Sequence, residues 1–238
     1  MSVGSSEGIP KRNCATDPAP PQPELAMLKA GQVLFVPGTE KKFLYRLNTG
    51  QIELRWPIAA TGQDEIETLQ AGEYFSLGFL DYHVCSAVAG TDAAIERLPR
   101  ARAAHLAEVE PDLKARDGVE MQREFTHRRE TIIAAATQAL PQRVAAFLLV
   151  VERFNTYEGR DPLIVSDDMT GPVPVVCDYL ATDADALGAA LKQLSDLGAI
   201  EFLPPRGVRI CDLDFLADFA DCRQEPAFHA GAARPHQI

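Results

Sequence analysis

Basic charge is scarce in this chain: 23 lysines and arginines stand against 34 aspartates and glutamates in 238 residues, a formal net charge of -11 at pH 7. The average surface therefore repels nucleic acid and acidic membranes, so any contact with DNA has to be local. Long apolar runs are missing as well. No stretch approaches the roughly 20 residues a membrane span requires, and Met1 to Gly8 has no basic segment followed by an apolar one, so the chain reads as cytoplasmic with no membrane partner. Cysteine is sparse and scattered: Cys14, Cys85, Cys177, Cys211 and Cys222 form no CxxC pair and no cluster with histidine at zinc spacing. That pattern argues against a disulfide scaffold and a structural metal site. Phosphate loop, nucleophile elbow and metal triad are also absent, which leaves an enzyme without support.

What is present is 46% hydrophobic residues, enough to fill real cores, arranged in segments of different texture. Residues 1–24 carry five prolines and almost no large apolar side chains and read as a flexible tail, and 223–238 read as a second tail. Residues 25–105 alternate short apolar stretches with turns, such as Val33 to Val36 before Pro37-Gly38 and Phe43 to Leu47 before Asn48-Thr49-Gly50. Strands at that spacing predict a small antiparallel barrel or sandwich, with Asn48-Thr49-Gly50 as a hairpin connection. Residues 106–140 read as a long helix, following a short one over Ala101 to Val109. Leu113, Val119, Phe125, Ile132, Ala136 and Leu140 form its apolar seam. A helix of nearly thirty residues would be about 40 Å long at 1.5 Å per residue, too long for a small barrel to cover. The seam residues Val119, Phe125 and Ile132 therefore predict a homodimer, against the alternative of a helix packed only on its own chain. Residues 141–222 begin with an apolar helix, Arg143 to Phe154, and continue with a strand at Leu163 to Val165. Helices follow at Val173 to Leu180 and Asp183 to Leu197, and strands at Ile200 to Leu203 and Val208 to Cys211: a helix-turn-helix with a wing.

In this order the chain resembles the CRP/FNR superfamily of bacterial transcription regulators, most nearly its FixK-like branch, from about Leu28 to Ala220. Gly31 to Phe35 is similar to the family's opening strand, and Tyr45 to Gly50 to its first hairpin. Ala71 to Gly78 resembles the turn before the ligand region, and Ser86 to Ala89 the next strand. Arg143 to Leu148 is similar to the linking helix and Asp178-Tyr179-Leu180 to the first helix of the DNA module. The resemblance implies an α+β fold: a cyclic-nucleotide-binding-like antiparallel β barrel, a long dimerisation helix and a C-terminal winged helix-turn-helix. It also implies DNA carrying an inverted-repeat operator, a second copy of the chain and RNA polymerase as partners.

The family's signal-binding residues match poorly. Where cyclic-nucleotide-binding relatives hold a ribose with Glu and clamp the phosphate with Arg, this sequence has Ser76 and Cys85. A buried phosphate would lack its compensating charge, so no cyclic nucleotide response is expected. The tail offers only Cys14 towards the four thiolates of an iron-sulfur cluster. No cofactor is expected; haem at His83 is the alternative to an ordinary strand histidine. Cys85 and Cys177 are candidate redox thiols, with buried structural residues as the other reading.

The reader departs from the family too. Alignment on Asp178-Tyr179-Leu180 places Asp183-Ala184-Asp185-Ala186-Leu187-Gly188-Ala189 where relatives carry Thr-x-Glu-Thr-Val-Ser-Arg. Asp183 is a helix cap, Asp185 keeps the base-reading carboxylate on a shorter arm, and Ala189 lacks the guanidinium. Leu163 to Phe215 holds nine acidic residues and three basic ones, Lys192, Arg206 and Arg209, a net charge of -6. The expected DNA-contacting set is Asp183, Asp185, Gly188, Lys192, Arg206 and Arg209. The function expected is a homodimeric DNA-binding transcription regulator; the alternative is a dimeric regulator acting through protein contacts with a degenerate winged helix.

Overall fold

The computed structural model describes residues 24–58, 61–100, 106, 110–134, 138–205 and 207–220. Both expected tails lie outside these residues, except that Glu24 opens the first strand. The helix expected over 101–109 also lies outside, apart from Leu106, as do Ala136 and Arg206.

Eight strands occupy residues 24–99: β1 (Glu24–Leu28), β2 (Val33–Phe35), β3 (Phe43–Thr49), β4 (Ile52–Ile58), β5 (Gln63–Leu69), β6 (Tyr74–Phe75), β7 (Ser86–Ala89) and β8 (Ala93–Pro99). They form two antiparallel sheets of four, ordered β1-β8-β3-β6 and β2-β7-β4-β5. Period-two alternation drives the assembly. In β4, Ile52, Leu54 and Trp56 point inward and are buried, while Glu53 and Arg55 lie on the other face. These residues share one core with Phe35 and Ala87 of their own sheet and with Leu47, Phe75 and Ile95 of the other. The edge strand β5 buries only Leu69 and carries Asp64, Glu65 and Glu67, charges that blunt an edge against pairing with another chain.

Asn48-Thr49-Gly50 is not a hairpin connection. β3 pairs with β8 and β6, and β4 pairs with β7 and β5, so this turn carries the chain from one sheet to the other. Gly50 is required by the crossing. Its φ is +86°, and a Cβ there would lie 2.4 Å from the carbonyl oxygen of Asp92.

The long helix, α1 (Pro111–Ala134), has 24 residues. Its buried positions are Leu113, Asp117, Glu120, Glu124 and Ile132, on a helical stripe that differs from the apolar seam read in the sequence. Of the three residues expected to face a twin, Ile132 is buried within the chain. Phe125 is half-buried, its ring 4.6 Å from Phe79 and 5.2 Å from Phe154. Val119 is 46% exposed. The seam spacing of six and seven residues followed hydropathy, whereas the stripe facing the barrel is largely carboxylate.

Pro141 occupies the first turn of α2 (Leu140–Tyr157), where its missing N–H costs nothing, and the side chain of Gln142 accepts from the N–H of Ala139 at 3.0 Å. Beyond it come β9 (Ile164–Ser166), the single turn α3 (Asp167–Thr170), α4 (Val173–Leu180), α5 (Ala184–Asp196), β10 (Ile200–Leu203), β11 (Gly207–Ile210) and α6 (Leu213–Phe219). β10, β11 and β9 make a three-stranded antiparallel sheet. The whole is the expected α+β architecture: antiparallel barrel, long helix, winged helix-turn-helix. No helix among the described residues is long and apolar enough to cross a membrane.

Because Phe125 packs inside the chain, Phe125→Ala should lower the unfolding free energy by about 3 kcal/mol. Leu25→Ala, on an exposed position of β1, should change it by less than about 0.5 kcal/mol. Urea unfolding of both variants measures the difference.

Candidate functional site

Two places in the fold gather polar groups, the α4–α5–wing unit and the junction between barrel and α1. In the first, α4 ends at Ala181, which takes the left-handed conformation at φ 50° and turns the chain sharply into α5. The C-terminal carbonyls of α4 receive arginines: Arg129 of α1 donates to Asp178 at 3.0 Å, and Arg143 of α2 donates to Leu180 at 3.1 Å. Asp183 caps α5, accepting from the N–H of Ala186 at 2.8 Å. Leu187, Ala190 and Leu194 form the buried face of α5, leaving Asp185, Gly188, Ala189 and Lys192 exposed. A Cβ built on Gly188 would meet nothing within 4 Å, so the helix presents bare backbone there.

The described cations of this face, Lys192 and Arg209, are both paired. Lys192 reaches Asp196 one turn on at 3.1 Å, and Arg209 on β11 lies opposite Glu201 on β10 at 3.9 Å. Both pairs are exposed, and such pairs contribute at most about 1 kcal/mol, so a phosphate can take either cation at small cost. Arg206 lies outside the described residues.

In the barrel, Ser76 sits at φ 67° and donates its hydroxyl to the carbonyl of Phe43 at 2.8 Å. Cys85 is buried; burial first, then the carboxylate of Glu120, pushes its thiol far up. His83 is 3% exposed, and its ring stacks on Phe35 with centroids 3.6 Å apart. Burial, with Lys41 and Arg100 adding, lowers its pKa to about 3, so it is neutral. A histidine packed this way does not fit an axial haem ligand, which needs an open approach to a ring nitrogen. Cys177 is buried in α4.

The junction is where sequence reading missed the main feature. Consecutive backbone N–H groups of residues 77–80 all point at carboxylates of α1. Leu77 donates to Glu120 at 2.7 Å, Gly78 to Asp117 at 2.8 Å, and Phe79 and Leu80 both to Glu124 at 2.7 and 2.9 Å. Lys41, itself buried, joins Glu124 to the carbonyl of Leu77. Tyr157 of α2 donates to Asp117 at 2.9 Å, and Arg100 donates to the carbonyl of Gly78 at 2.7 Å. Arg116 reaches from Glu120 to Glu67 of β5. Arg123 also contacts Glu67, at 3.1 Å, and covers the Trp56 ring at 4.6 Å.

A run of inward N–H groups is an anion cradle, and here α1 fills it. A cyclic phosphate brought to it would meet Asp117, Glu120 and Glu124 in place of a guanidinium, so the residues present do not fit that ligand. The signal that could have exposed this site is the spacing of Asp117, Glu120 and Glu124, three and four apart, which puts them on one helix face.

No family model and no curated protein matches the chain. Solved structures do. FixK2 from Bradyrhizobium japonicum is similar over 83% of this chain and 97% of its own, at 18% identity and a TM-score of 0.35. The catabolite activator protein of Thermus thermophilus is similar over 84% and 91%, at 20% identity and a TM-score of 0.35. A CooA mutant from Carboxydothermus hydrogenoformans is similar over 83% and 88%, at 16% identity and a TM-score of 0.35.

The environments of the thiols separate them chemically. Cys85 and Cys177 are buried and Cys211 is exposed. Under native conditions at mildly alkaline pH, iodoacetamide should alkylate Cys211 well before Cys85 or Cys177, as read by peptide mass mapping; rapid labelling of Cys85 would contradict its burial.

Proposed function

We propose that the chain is a homodimeric DNA-binding regulator of transcription whose barrel does not respond to cyclic nucleotides. One observation carries this reading: a capped helix, α5, held outward on a tight turn from α4 and flanked by a two-stranded wing, presenting Asp185, Gly188 and Lys192. A helix so mounted can enter a major groove with its N-terminal residues on base edges, while the wing touches backbone. Asp185 is suited to accept from a cytosine amine, and Lys192, Arg209 and Arg206 are suited to phosphate.

An inverted-repeat operator requires two readers related by a two-fold axis, and α1 supports that pairing through its outward side. Ala115, Gly118, Val119, Gln122 and Thr126 are exposed there at helical spacing. Gly118 has nothing within 4 Å of a built Cβ, which permits close approach of a second helix. The barrel side of the proposal rests on the carboxylates that fill the anion cradle.

A second reading, regulation through protein contacts, is favoured by the pairing of Lys192 and Arg209 with Asp196 and Glu201. A mobility-shift salt series on an operator found by genome-wide occupancy distinguishes the two. In the DNA-binding reading, Lys192→Ala, Arg206→Ala and Arg209→Ala each weaken specific and random DNA alike and reduce the salt slope by about one unit. Asp185→Ala relaxes preference at one base pair, Ala189→Arg adds about 1–3 kcal/mol of discrimination, and millimolar cyclic AMP changes nothing. If none of these variants alters binding, α5 is not a reader and the protein-contact reading replaces it.

Dimerisation is tested separately. Wild type should sediment as a dimer with a melting temperature that rises with protein concentration, and Val119→Glu as a monomer whose melting temperature does not depend on concentration, because that side chain is exposed within the chain. A monomeric wild type at micromolar concentration would remove the homodimer from the proposal.

A further inference from the structure

The barrel–α1 junction is built in a way that a merely structural contact does not need. Asp117, Glu120 and Glu124 are all buried, and Glu124 is 1% exposed. Three carboxylates share one volume with a single buried lysine. The loop they enter is shaped for them: Gly78 has φ +83°, and a Cβ there would come within 2.5 Å of the Glu124 carboxylate. The backbone can turn its N–H groups onto the carboxylates only with a left-handed residue at that point, which glycine adopts without penalty.

We propose that this cluster is a proton-binding site, and that the proton it takes up when α1 docks makes the barrel–helix junction a pH-sensitive latch. Like charges this close cannot all stay ionised in a desolvated site without a cost that binding one proton removes. The groups facing Glu124 from each packed element are few. The β2–β3 connection supplies Lys41, and the segment before β7 supplies His83 and Cys85. Arg100 follows β8, and Tyr157 comes from α2. α1 itself supplies Asp117, Arg116 and Glu120, the last two bound to each other. His83 is held neutral down to about pH 3, while the Cys85 thiol and the Tyr157 phenol are pushed far up. None of these three changes charge between pH 4.5 and 7.

The carboxyls do. Burial raises Glu120, and burial, only partly offset by Lys41 and the N–H of Leu80, raises Glu124 from 4.5 to about 7. A carboxyl with a higher pKa when docked than when free takes up a proton on docking. Its contribution to docking is therefore full below about pH 4.5 and is lost as pH rises through about 7. For one proton, the opening constant climbs by about tenfold per pH unit across that window.

Hydrogen exchange on the full DNA-free chain tests this, so its outcome is independent of whether any operator is bound. With intrinsic exchange rates divided out, protection of residues 77–80 and 113–124 should fall about tenfold per pH unit between pH 5 and 6.5 and level off above about pH 7. Glu124→Gln, which mimics the protonated group, should flatten that dependence. Gly78→Ala should lower protection of both segments at every pH while leaving α5 and the wing unchanged. Protection that does not vary with pH in wild type, or a slope that survives in Glu124→Gln, overturns the proposal. Where Glu124→Gln fails to fold, carbon-detected side-chain titration of the wild type decides. A Glu carboxyl titrating above pH 6 sustains the latch, and all carboxyls titrating below pH 5 overturns it.

Discussion

Backbone N–H groups turned inward at residues 77–80 are the constraint from which the rest of the junction follows. An unpaired buried amide costs on the order of 1–3 kcal/mol, so this loop must find acceptors or stay in water. An apolar face on α1 would seal the barrel but leave all these donors orphaned. Carboxylates satisfy them, and each then needs its own compensation. Lys41 is buried for Glu124, Arg116 stretches between Glu120 and Glu67, and Tyr157 turns its hydroxyl onto Asp117. Two elements far apart in sequence, the β2–β3 connection and the end of α2, are thereby tied to one point. Such a network has no stable half-formed state, because removing one partner strands another buried charge.

The same helix that closes the barrel also holds α4. Phe79 of the cradle loop packs on Phe125 of α1 and Phe154 of α2, joining loop and both helices through aromatic faces. One residue's backbone carries the link further: the carbonyl of Phe125 accepts from Tyr179 of α4 at 3.1 Å. Arg129 lies one turn on and grips the carbonyl of Asp178. α4 therefore hangs from α1 by contacts within about a turn and a half of Glu124, and any movement of α1 on the barrel must either carry α4 or break them. These contacts join the cradle loop, α1, α2 and α4 into one packed unit.

Much of this architecture was legible in the sequence where local chemistry decides it. Alternation in Ile52 to Trp56, the Asp183 cap, Pro141 at a helix start and the strand pair around Pro204-Pro205 all act within a few residues, and each element lies close to where its residues place it. Features that depend on distant partners were not legible. Asn48-Thr49-Gly50 announces a bend, but which sheet receives the next strand is set by β8 and β7. Asp117, Glu120 and Glu124 look like a solvated face, because carboxylates are almost never fully buried unless paired, and the pairing groups lie in the loop 76–80 and at Lys41. Phe125 and Ile132 of the apolar seam turned inward for the same reason: hydropathy cannot count the carboxylates beside them as core. His83 was visible as a candidate, whereas Phe35, which stacks on it and closes that face, lies 48 positions earlier.

In the proposed DNA-binding reading, the acidic surface of α5 and the wing leaves little affinity that does not depend on base contacts. Phosphate neutralisation supplies most nonspecific binding, and a module of net charge -6 between Leu163 and Phe215 forfeits most of it. Its described cations stand in exposed pairs, Lys192 with Asp196 and Arg209 with Glu201, each worth at most about 1 kcal/mol, so the net charge limits nonspecific binding more than the pairs do. At a matched site the balance differs. Base-edge contacts from the N-terminal half of α5, worth roughly 1–3 kcal/mol for each good pair, exceed what an exposed ion pair contributes. The cost of exchanging Asp196 and Glu201 for phosphate is the same on every sequence, so it lowers affinity without changing preference. In this reading discrimination comes from the base-edge contacts of α5 alone, and the negative charge keeps the remaining, sequence-independent binding weak enough for those contacts to decide where the protein rests.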